Sequence, residues 1–183
     1  MFSINAITGL LNEAIQIDSP NCDNRTNDGE ISLIVIHGIS LPPAEFGGGY
    51  IDKFFTNTLD IQSHPYFDEI KDIKVSSHLL IERSGVIKQF VPFNKRAWHA
   101  GVSQFENRDC CNDFSIGIEL EGTDDTEYTD IQYDNLQQVC KCLIEVYPSI
   151  LSQHIVGHCD IAPGRKTDPG VSFDWKRFKA KFA

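Results

Sequence analysis

Three stretches of the chain carry the apolar patterns that are typical of β-strands. Residues 31–37 are almost entirely aliphatic on both faces, which predicts a strand buried on both sides in the centre of a sheet. Residues 114–121 alternate between apolar side chains and small or acidic ones, so one face is predicted to join the core. Ile155 and Val156 predict a short strand. We therefore expect a sheet in which His37 and His158 lie at strand ends.

Other patterns predict the elements around that sheet. Thr129 and Gln132 form a capping-box pattern, and apolar residues then recur at helical spacing until Pro148, which predicts an amphipathic helix. Residues 75–82 and 86–91 predict a hairpin that turns at residues 83–85. Residues 1–15 fit either a short helix or an extended arm. The remaining predictions are short helices at 50–55 and 173–182 and loops at 18–30, 59–66 and 96–101.

Strands separated by one strong helix predict a mixed α+β or α/β fold, with helices on the faces of a central sheet. The 183 residues are about the size of one domain. A formal net charge of -10 argues against a nucleic-acid partner, because binding a phosphate backbone requires clustered Lys and Arg. No stretch approaches the ~18 apolar residues of a membrane span, and the start lacks a basic, signal-like region. We expect a cytoplasmic monomer whose six cysteines are free thiols.

The richest chemistry lies in residues 157–170, GHCDIAPGRKTDPG. His158 directly follows the predicted strand. The prolines and glycines of this stretch forbid regular structure after it, so Lys166 and Asp168 are expected on a stiffened loop. A potential metal ligand, a cation and a second potential ligand are thereby brought close together.

His37, His158 and Asp168 are two imidazoles and a carboxylate, a ligand set typical of catalytic zinc. Glu119 is the natural candidate for a general base, and Lys166 could donate to the oxyanion of a tetrahedral intermediate. Such a set favours hydrolysis of an amide. From the residues alone the alternatives stay open: a histidine at a strand end is often structural, and the acidic face of 114–121 is also what a solvent-exposed sheet face would carry.

Two further features concern the surroundings of this site. Ser115 and Gly117 share a strand face with Glu119 and are too small to cover the sheet, which predicts a depression flanked by acid. Trp98 and His99 could line a groove for a polar ligand with apolar faces, or could belong to a surface loop with a packing tryptophan.

Four blocks of sequence, at 35–43, 95–103, 112–123 and 157–170, resemble the type-2 amidase and peptidoglycan-recognition-protein family. The resemblance runs from about residue 17 to residue 178 and implies one amidase domain across 1–183, built on a central mixed sheet with helices around it. It also implies that His37, His158 and Asp168 bind zinc, that Glu119 acts as the base and that Lys166 stabilises the developing oxyanion.

The same resemblance implies a substrate from peptidoglycan recycling. This is an anhydro-muropeptide in which a peptide beginning with L-alanine is amide-linked to 1,6-anhydro-N-acetylmuramic acid. Contacts to it are expected from Tyr50, Lys74, Trp98, His99 and Arg108. Two departures from the family pattern, Gly38 where Asn is expected and Cys110 where Arg is frequent, affect substrate recognition rather than zinc.

Two alternatives to this function follow from the same family. A non-catalytic module that binds or senses peptidoglycan fragments would be expected to lack one or more zinc ligands, whereas all three are present here. An enzyme acting on intact, exported cell wall would be expected to carry a signal sequence.

Overall fold

The computed structural model describes residues 2–26 and 30–182. Its strands are β1 (Ile4–Asn5), β2 (Leu10–Leu11), β3 (Ile15–Gln16), β4 (Cys22–Asn24), β5 (Leu33–Ile39), β6 (Leu79–Ile81), β7 (Ile87–Gln89), β8 (Lys95–Ala97), β9 (Gln104–Phe105), β10 (Arg108–Asp109), β11 (Ser115–Glu121) and β12 (Ile155–Gly157). Its α-helices are α1 (Tyr50–Phe55), α2 (Phe67–Ile70), α3 (Asp130–Val146), α4 (His158–Ile161) and α5 (Trp175–Lys179). Short 3₁₀ turns cover Ile61–Ser63, Cys111–Asp113 and Ser152–His154.

Six strands form one mixed sheet in the order β12-β5-β11-β6-β7-β3. The strands β12, β5, β11 and β6 are parallel, β7 pairs antiparallel with β6, and β3 pairs parallel with β7. This confirms the predicted mixed sheet flanked by helices. The interior position of β5, between β12 and β11, explains its aliphatic sequence, because both of its faces are covered by protein.

Helix α3 covers one face of the sheet. Leu136, Val139 and Leu143 of the helix join Ile36 and Ile118 of the sheet in one buried cluster. The helix begins where the sequence predicts, since the Thr129 side chain accepts from the Gln132 amide and the Gln132 side chain accepts from the Thr129 amide. The helix therefore fixes which side chains of β5 and β11 point away from it, towards the opposite face.

On that opposite face β5 and β11 run in register, so that His37 pairs with Glu119. A second apolar cluster, built by residues of α1 and α2 together with Leu80 and Phe90, lies beside them. The aliphatic packing of this face thus gives way to polar side chains at the carboxyl ends of the central parallel strands. Ligand sites in open α/β sheets favour this edge.

Several predictions about local structure are wrong. Strand β5 continues past His37 to Ile39, because its pairing with β11 extends to Glu121. The predicted loops at 18–30 and 96–101 contribute β4 and β8, which pair with each other. Helix α4 starts at His158 itself, where irregular structure was expected. Helix α2 was not predicted. The amino-terminal residues form the short strands β1, β2 and β3, so the extended arm is the correct alternative.

The predictions for the hairpin, α1 and α5 are confirmed, with a hairpin shorter than expected. All six cysteines fall within the described ranges and are free thiols. No helix in the described part of the chain combines the length and apolar character that crossing a membrane requires.

Candidate metal centre

The structure brings His37, His158 and Asp168 together at the carboxyl end of the sheet. The Nδ1 atoms of the two histidines are 3.0 Å apart, and Asp168 Oδ2 lies 3.1 Å from His37 Nδ1 and 3.0 Å from His158 Nδ1. Both imidazoles are buried, with 1% and 3% of their surface exposed. Three potential ligand atoms therefore converge on one point, as the sequence predicts for a metal site.

Local structure holds each of the three side chains. His37 lies within β5, and His158 is the first residue of α4, directly after β12. The Gly157 amide donates to Asp160 Oδ2 at 2.7 Å, which closes the first turn of α4. The Cys159 amide donates to the Asp168 carbonyl at 3.0 Å and ties the loop back to the helix.

The donor set fits a zinc ion. His158 Nε2 lies 3.2 Å from the Ala100 carbonyl oxygen, which can only accept, so a ring proton on Nε2 has an acceptor when Nδ1 offers its lone pair to a metal. Metal-bound histidines commonly donate their second ring N–H in this way. Nitrogen and oxygen ligands about 2.0–2.2 Å from zinc are compatible with ligand atoms spaced as these are.

The charges of His37 and Asp168 also suit a cation. Burial lowers the pKa of His37 to about 4, so its ring is neutral near neutral pH. Burial of Asp168 opposes ionisation, but hydrogen bonds from His158 and His37 outweigh it and hold the pKa of the carboxyl below its ordinary value. A neutral His37 and an ionised Asp168 are the protonation states that metal binding requires of these two groups.

Glu119 lies beside His37 on the neighbouring strand. Its Oε2 atom is buried and has no hydrogen-bond partner among the described residues. Burial raises the pKa of Glu119 well above its ordinary value, and the charge of Asp168 raises it further, whereas the charge of Lys166 lowers it. An unpaired carboxylate oxygen with a raised pKa is suited to accept a proton as a general base.

Lys166 lies on the exposed loop between α4 and Asp168 and also lines the site. Within the described ranges, its ammonium group has no hydrogen-bond or ion-pair partner. A cation without a partner at the rim of the site is available to a ligand that develops negative charge.

A cavity of about 260 Å³ contains this cluster. Its walls include Phe54, Ile70 and Ile73, and the same three residues line a second cavity of about 250 Å³. The candidate metal ligands thus face a cavity whose apolar wall is shared with a second cavity.

Of the five predicted substrate contacts, His99 is the one that lines the first cavity, and Lys74 is the one that lines the second. The Tyr50 ring packs against Phe67, with ring centroids 5.0 Å apart. The guanidinium of Arg108 lies 3.7 Å over the Phe114 ring. Trp98 is partly buried, and its amide donates to Ser76 Oγ at 3.2 Å. The structure therefore does not gather these five side chains around one point.

The depression predicted over Ser115 and Gly117 is filled rather than open. A Cβ atom at Gly117 would lie 2.5 Å from the His99 ring, so this glycine makes room for an imidazole. Glu121, on the same face, is also buried and accepts from the Gly47 amide and, at 3.2 Å, from the Arg83 amide. The explanation of Glu121 as part of a solvent-exposed face is wrong.

Sequence reasoning missed the side chains behind the candidate ligands. Tyr128 Oη donates to the Pro169 carbonyl at 2.8 Å, next to Asp168, and Asn112 accepts from the backbone amides of His99 and Ala100. Two glycines were the sequence signal for these side chains. A Cβ atom at Gly38 would clash with Tyr128, and one at Gly117 would clash with His99.

Comparison with known proteins agrees with this geometry. The family model for N-acetylmuramoyl-L-alanine amidase matches residues 27–171. The chain is 58% identical over 171 residues to the 1,6-anhydro-N-acetylmuramyl-L-alanine amidase AmpD of Escherichia coli K12, covering 93% of each chain. A crystal structure of a selenomethionine derivative of AmpD superposes with a TM-score of 0.94 at 56% identity, covering 98% of this chain and 99% of the other.

A more distant structure carries a ligand. It is the E. coli amidase AmiD in complex with the substrate anhydro-N-acetylmuramic acid-L-Ala-D-γ-Glu-L-Lys. The match has a TM-score of 0.61 at 31% identity and covers 83% of this chain and 57% of AmiD.

Proposed function

The chain belongs to the N-acetylmuramoyl-L-alanine amidase family, and we propose that it is a zinc-dependent enzyme that hydrolyses the amide between 1,6-anhydro-N-acetylmuramic acid and L-alanine. The observation that carries this proposal is the convergence of His37, His158 and Asp168 beside the unpaired carboxylate of Glu119. A binding module would have no use for a buried carboxylate without a partner, whose desolvation destabilises the fold.

His37 Nδ1, His158 Nδ1 and Asp168 Oδ2 would hold the zinc. When bound there, zinc supplies a Lewis acid that acidifies water and polarises a carbonyl group. The buried imidazoles exclude bulk water from one side of the site, and the cavity admits substrate from the other.

Glu119 accepts a proton from the attacking water as the water oxygen bonds to the lactyl carbonyl carbon. Lys166 donates a hydrogen bond to the carbonyl oxygen, on which negative charge develops. When the carbon–nitrogen bond breaks, Glu119 returns the proton to the departing amine of L-alanine. The products are a free carboxylate on the sugar and a peptide with a free amino terminus, so the water is consumed and atoms balance.

Two observations support the anhydro-muropeptide as substrate. The E. coli relative that is 58% identical is named for this activity, and AmiD binds a fragment of the same kind. The first cavity provides a polar end at the ligand cluster, and the second, which shares the apolar wall of Phe54, Ile70 and Ile73, is also lined by Lys71 and Lys74. We further propose that the enzyme works as a cytoplasmic monomer of one amidase domain in the recycling of cell-wall fragments.

Mass spectrometry of the products tests this function. Purified protein, supplied with zinc, should convert an anhydromuramyl-peptide into anhydromuramic acid and a peptide beginning with L-alanine. Intact sacculi, assayed in parallel, should release much less product. Binding of the fragment without cleavage would favour a sensing module instead, and preferential action on sacculi would favour an enzyme of the exported wall.

A further inference from the structure

His99 and Ala100 form a dipeptide that contacts both candidate zinc histidines. The side chain of His99 reaches His37, with His99 Nδ1 3.0 Å from His37 Nε2. The backbone carbonyl of Ala100 reaches His158, 3.2 Å from its Nε2 atom. Neither contact involves the Nδ1 atoms that face Asp168. The dipeptide therefore contacts the Nε2 atom of each imidazole and leaves the Nδ1 atom on the side of Asp168.

The His99 contact bears on the tautomer of His37. A metal at His37 Nδ1 needs a lone pair there, which places the ring proton on Nε2. His99 must then accept that proton at Nδ1 and carry its own at Nε2, which lies 3.1 Å from Ser115 Oγ. The buried sequence His37, His99, Ser115 thus supplies an acceptor for each ring proton and leaves Nδ1 of His37 open.

A single oxygen atom accepts from both amides of the dipeptide. Asn112 Oδ1 accepts from the His99 amide at 3.1 Å and from the Ala100 amide at 2.8 Å. Arg165 adds a hydrogen bond to the Ala100 carbonyl at 2.7 Å. Because one oxygen binds two successive amides, the His99 side chain and the Ala100 carbonyl cannot shift independently.

We propose that the dipeptide His99-Ala100, fixed by Asn112, is a positioning element that sets the ring orientation and tautomer of both candidate zinc ligands. This assigns His99 a role behind His37 in place of the predicted contact with substrate. It also gives a role to Asn112, which the sequence did not single out as a site residue. The inference rests on the proposed zinc site.

Zinc affinity is the quantity that separates a positioning role from a substrate contact or a role in packing alone. In His99→Phe an aromatic ring is kept but both ring nitrogens are lost, so the dissociation constant for zinc should rise about 10–100-fold. Asn112→Ala should produce a rise in the same range, whereas Asn112→Asp keeps an oxygen that accepts both amides and should stay within about threefold of the wild type. His154→Phe, at a histidine outside the site, is the matched control and should leave zinc affinity unchanged.

The measurements are competition with a chromophoric chelator for the dissociation constant and ¹⁵N NMR of the imidazoles for the tautomer. The zinc-loaded wild type should show His37 protonated at Nε2. If the wild type fails to bind zinc, the proposed function itself fails. If the wild type binds zinc but His99→Phe and Asn112→Ala bind it equally tightly, only the positioning role is overturned, and a raised KM in His99→Phe would return that residue to the substrate contacts.

Folding of the variants is followed by circular dichroism of the metal-free proteins. Should His99→Phe not fold, the pair Asn112→Ala and Asn112→Asp decides alone. Recovery of zinc affinity in Asn112→Asp supports the proposal. Equal loss in both variants contradicts it, because a role in packing alone does not depend on the acceptor oxygen.

Discussion

His37 and Glu119 occupy paired positions on the neighbouring parallel strands β5 and β11. The candidate metal ligand and the candidate base are therefore spaced by backbone hydrogen bonds of the sheet centre and not by a loop. Sites built on such rigid elements keep their geometry without reorganisation. Lys166 and Asp168, by contrast, lie on the loop after α4.

Lys166 is expected to act on turnover and not on metal binding. Its ammonium lines the cavity and has no partner in the described part of the chain, so removing it should leave the ligand cluster intact. Lys166→Met should lower kcat by about 10²–10³-fold, the range for loss of a donor to an oxyanion. Steady-state kinetics together with zinc analysis checks this, and a fall in zinc content equal to the fall in kcat would refute it.

Glu119 should destabilise the metal-free protein at neutral pH. Its pKa is raised in the folded state by burial, so the folded protein holds a proton that the unfolded chain has released. Stability then falls as the pH rises above the unfolded value near 4.5. Metal-free Glu119→Gln should therefore be more stable than metal-free wild type at pH 7, with the difference vanishing towards pH 4.

Urea unfolding at a series of pH values measures this difference. The conservative exchange keeps the size of the side chain and removes only the ionisable group. A constant difference between the two proteins across the pH range would show that burial of the charge is not its cause.

Gly38 and Tyr128 should behave as a coupled pair. A Cβ atom at Gly38 would lie 2.4 Å from Tyr128 Oη, and this hydroxyl donates to the Pro169 carbonyl beside Asp168. Gly38→Asn should therefore displace the phenol, cost about 1–3 kcal/mol of stability and weaken zinc binding. Tyr128→Phe removes the clashing oxygen, so the double variant should lose less than the sum of the single ones. Additive losses would argue that the two residues do not interact.

Arg25 should be a major source of stability away from the site. Its guanidinium is partly buried and donates to the carbonyl oxygens of Phe93, Asn112, Asp113 and Ser115. Burial lowers its pKa to about 10, which leaves it charged at neutral pH. Arg25→Met leaves these acceptors without a donor and should cost about 2–4 kcal/mol in urea unfolding of the metal-free protein. The exposed Lys71→Met is the control and should change stability by less than about 0.5 kcal/mol.

The sequence predicted those parts of the fold that local patterns encode. The run at β5, the alternation at β11 and the capping box of α3 each carry their signal within a few residues. The pairing of β4 with β8 carries no such local signal, because strands of three residues depend on partners far along the chain. The one-turn helix α2 is too short to show periodicity.

The candidate site divides in the same way. Ligand-type residues at strand ends could be selected from sequence, and the resemblance assigned their roles. The contact between His99 and His37 could not be predicted from the sequence. No sequence spacing relates these two residues, which lie 62 positions apart. Gly117 carried the strongest sequence signal for this contact, because a glycine in an otherwise regular strand often marks the close approach of another group.

The most direct test of the zinc site compares metal content and turnover in Asp168→Ala and Glu119→Gln. Wild-type protein should bind about one zinc per chain and lose cleavage of the anhydromuramyl-peptide when a chelator removes it. Asp168→Ala should lose both tight zinc binding and activity, whereas Glu119→Gln should keep zinc and lose turnover. Full activity of the chelated wild type, or zinc bound equally tightly without Asp168, would contradict the zinc-dependent mechanism.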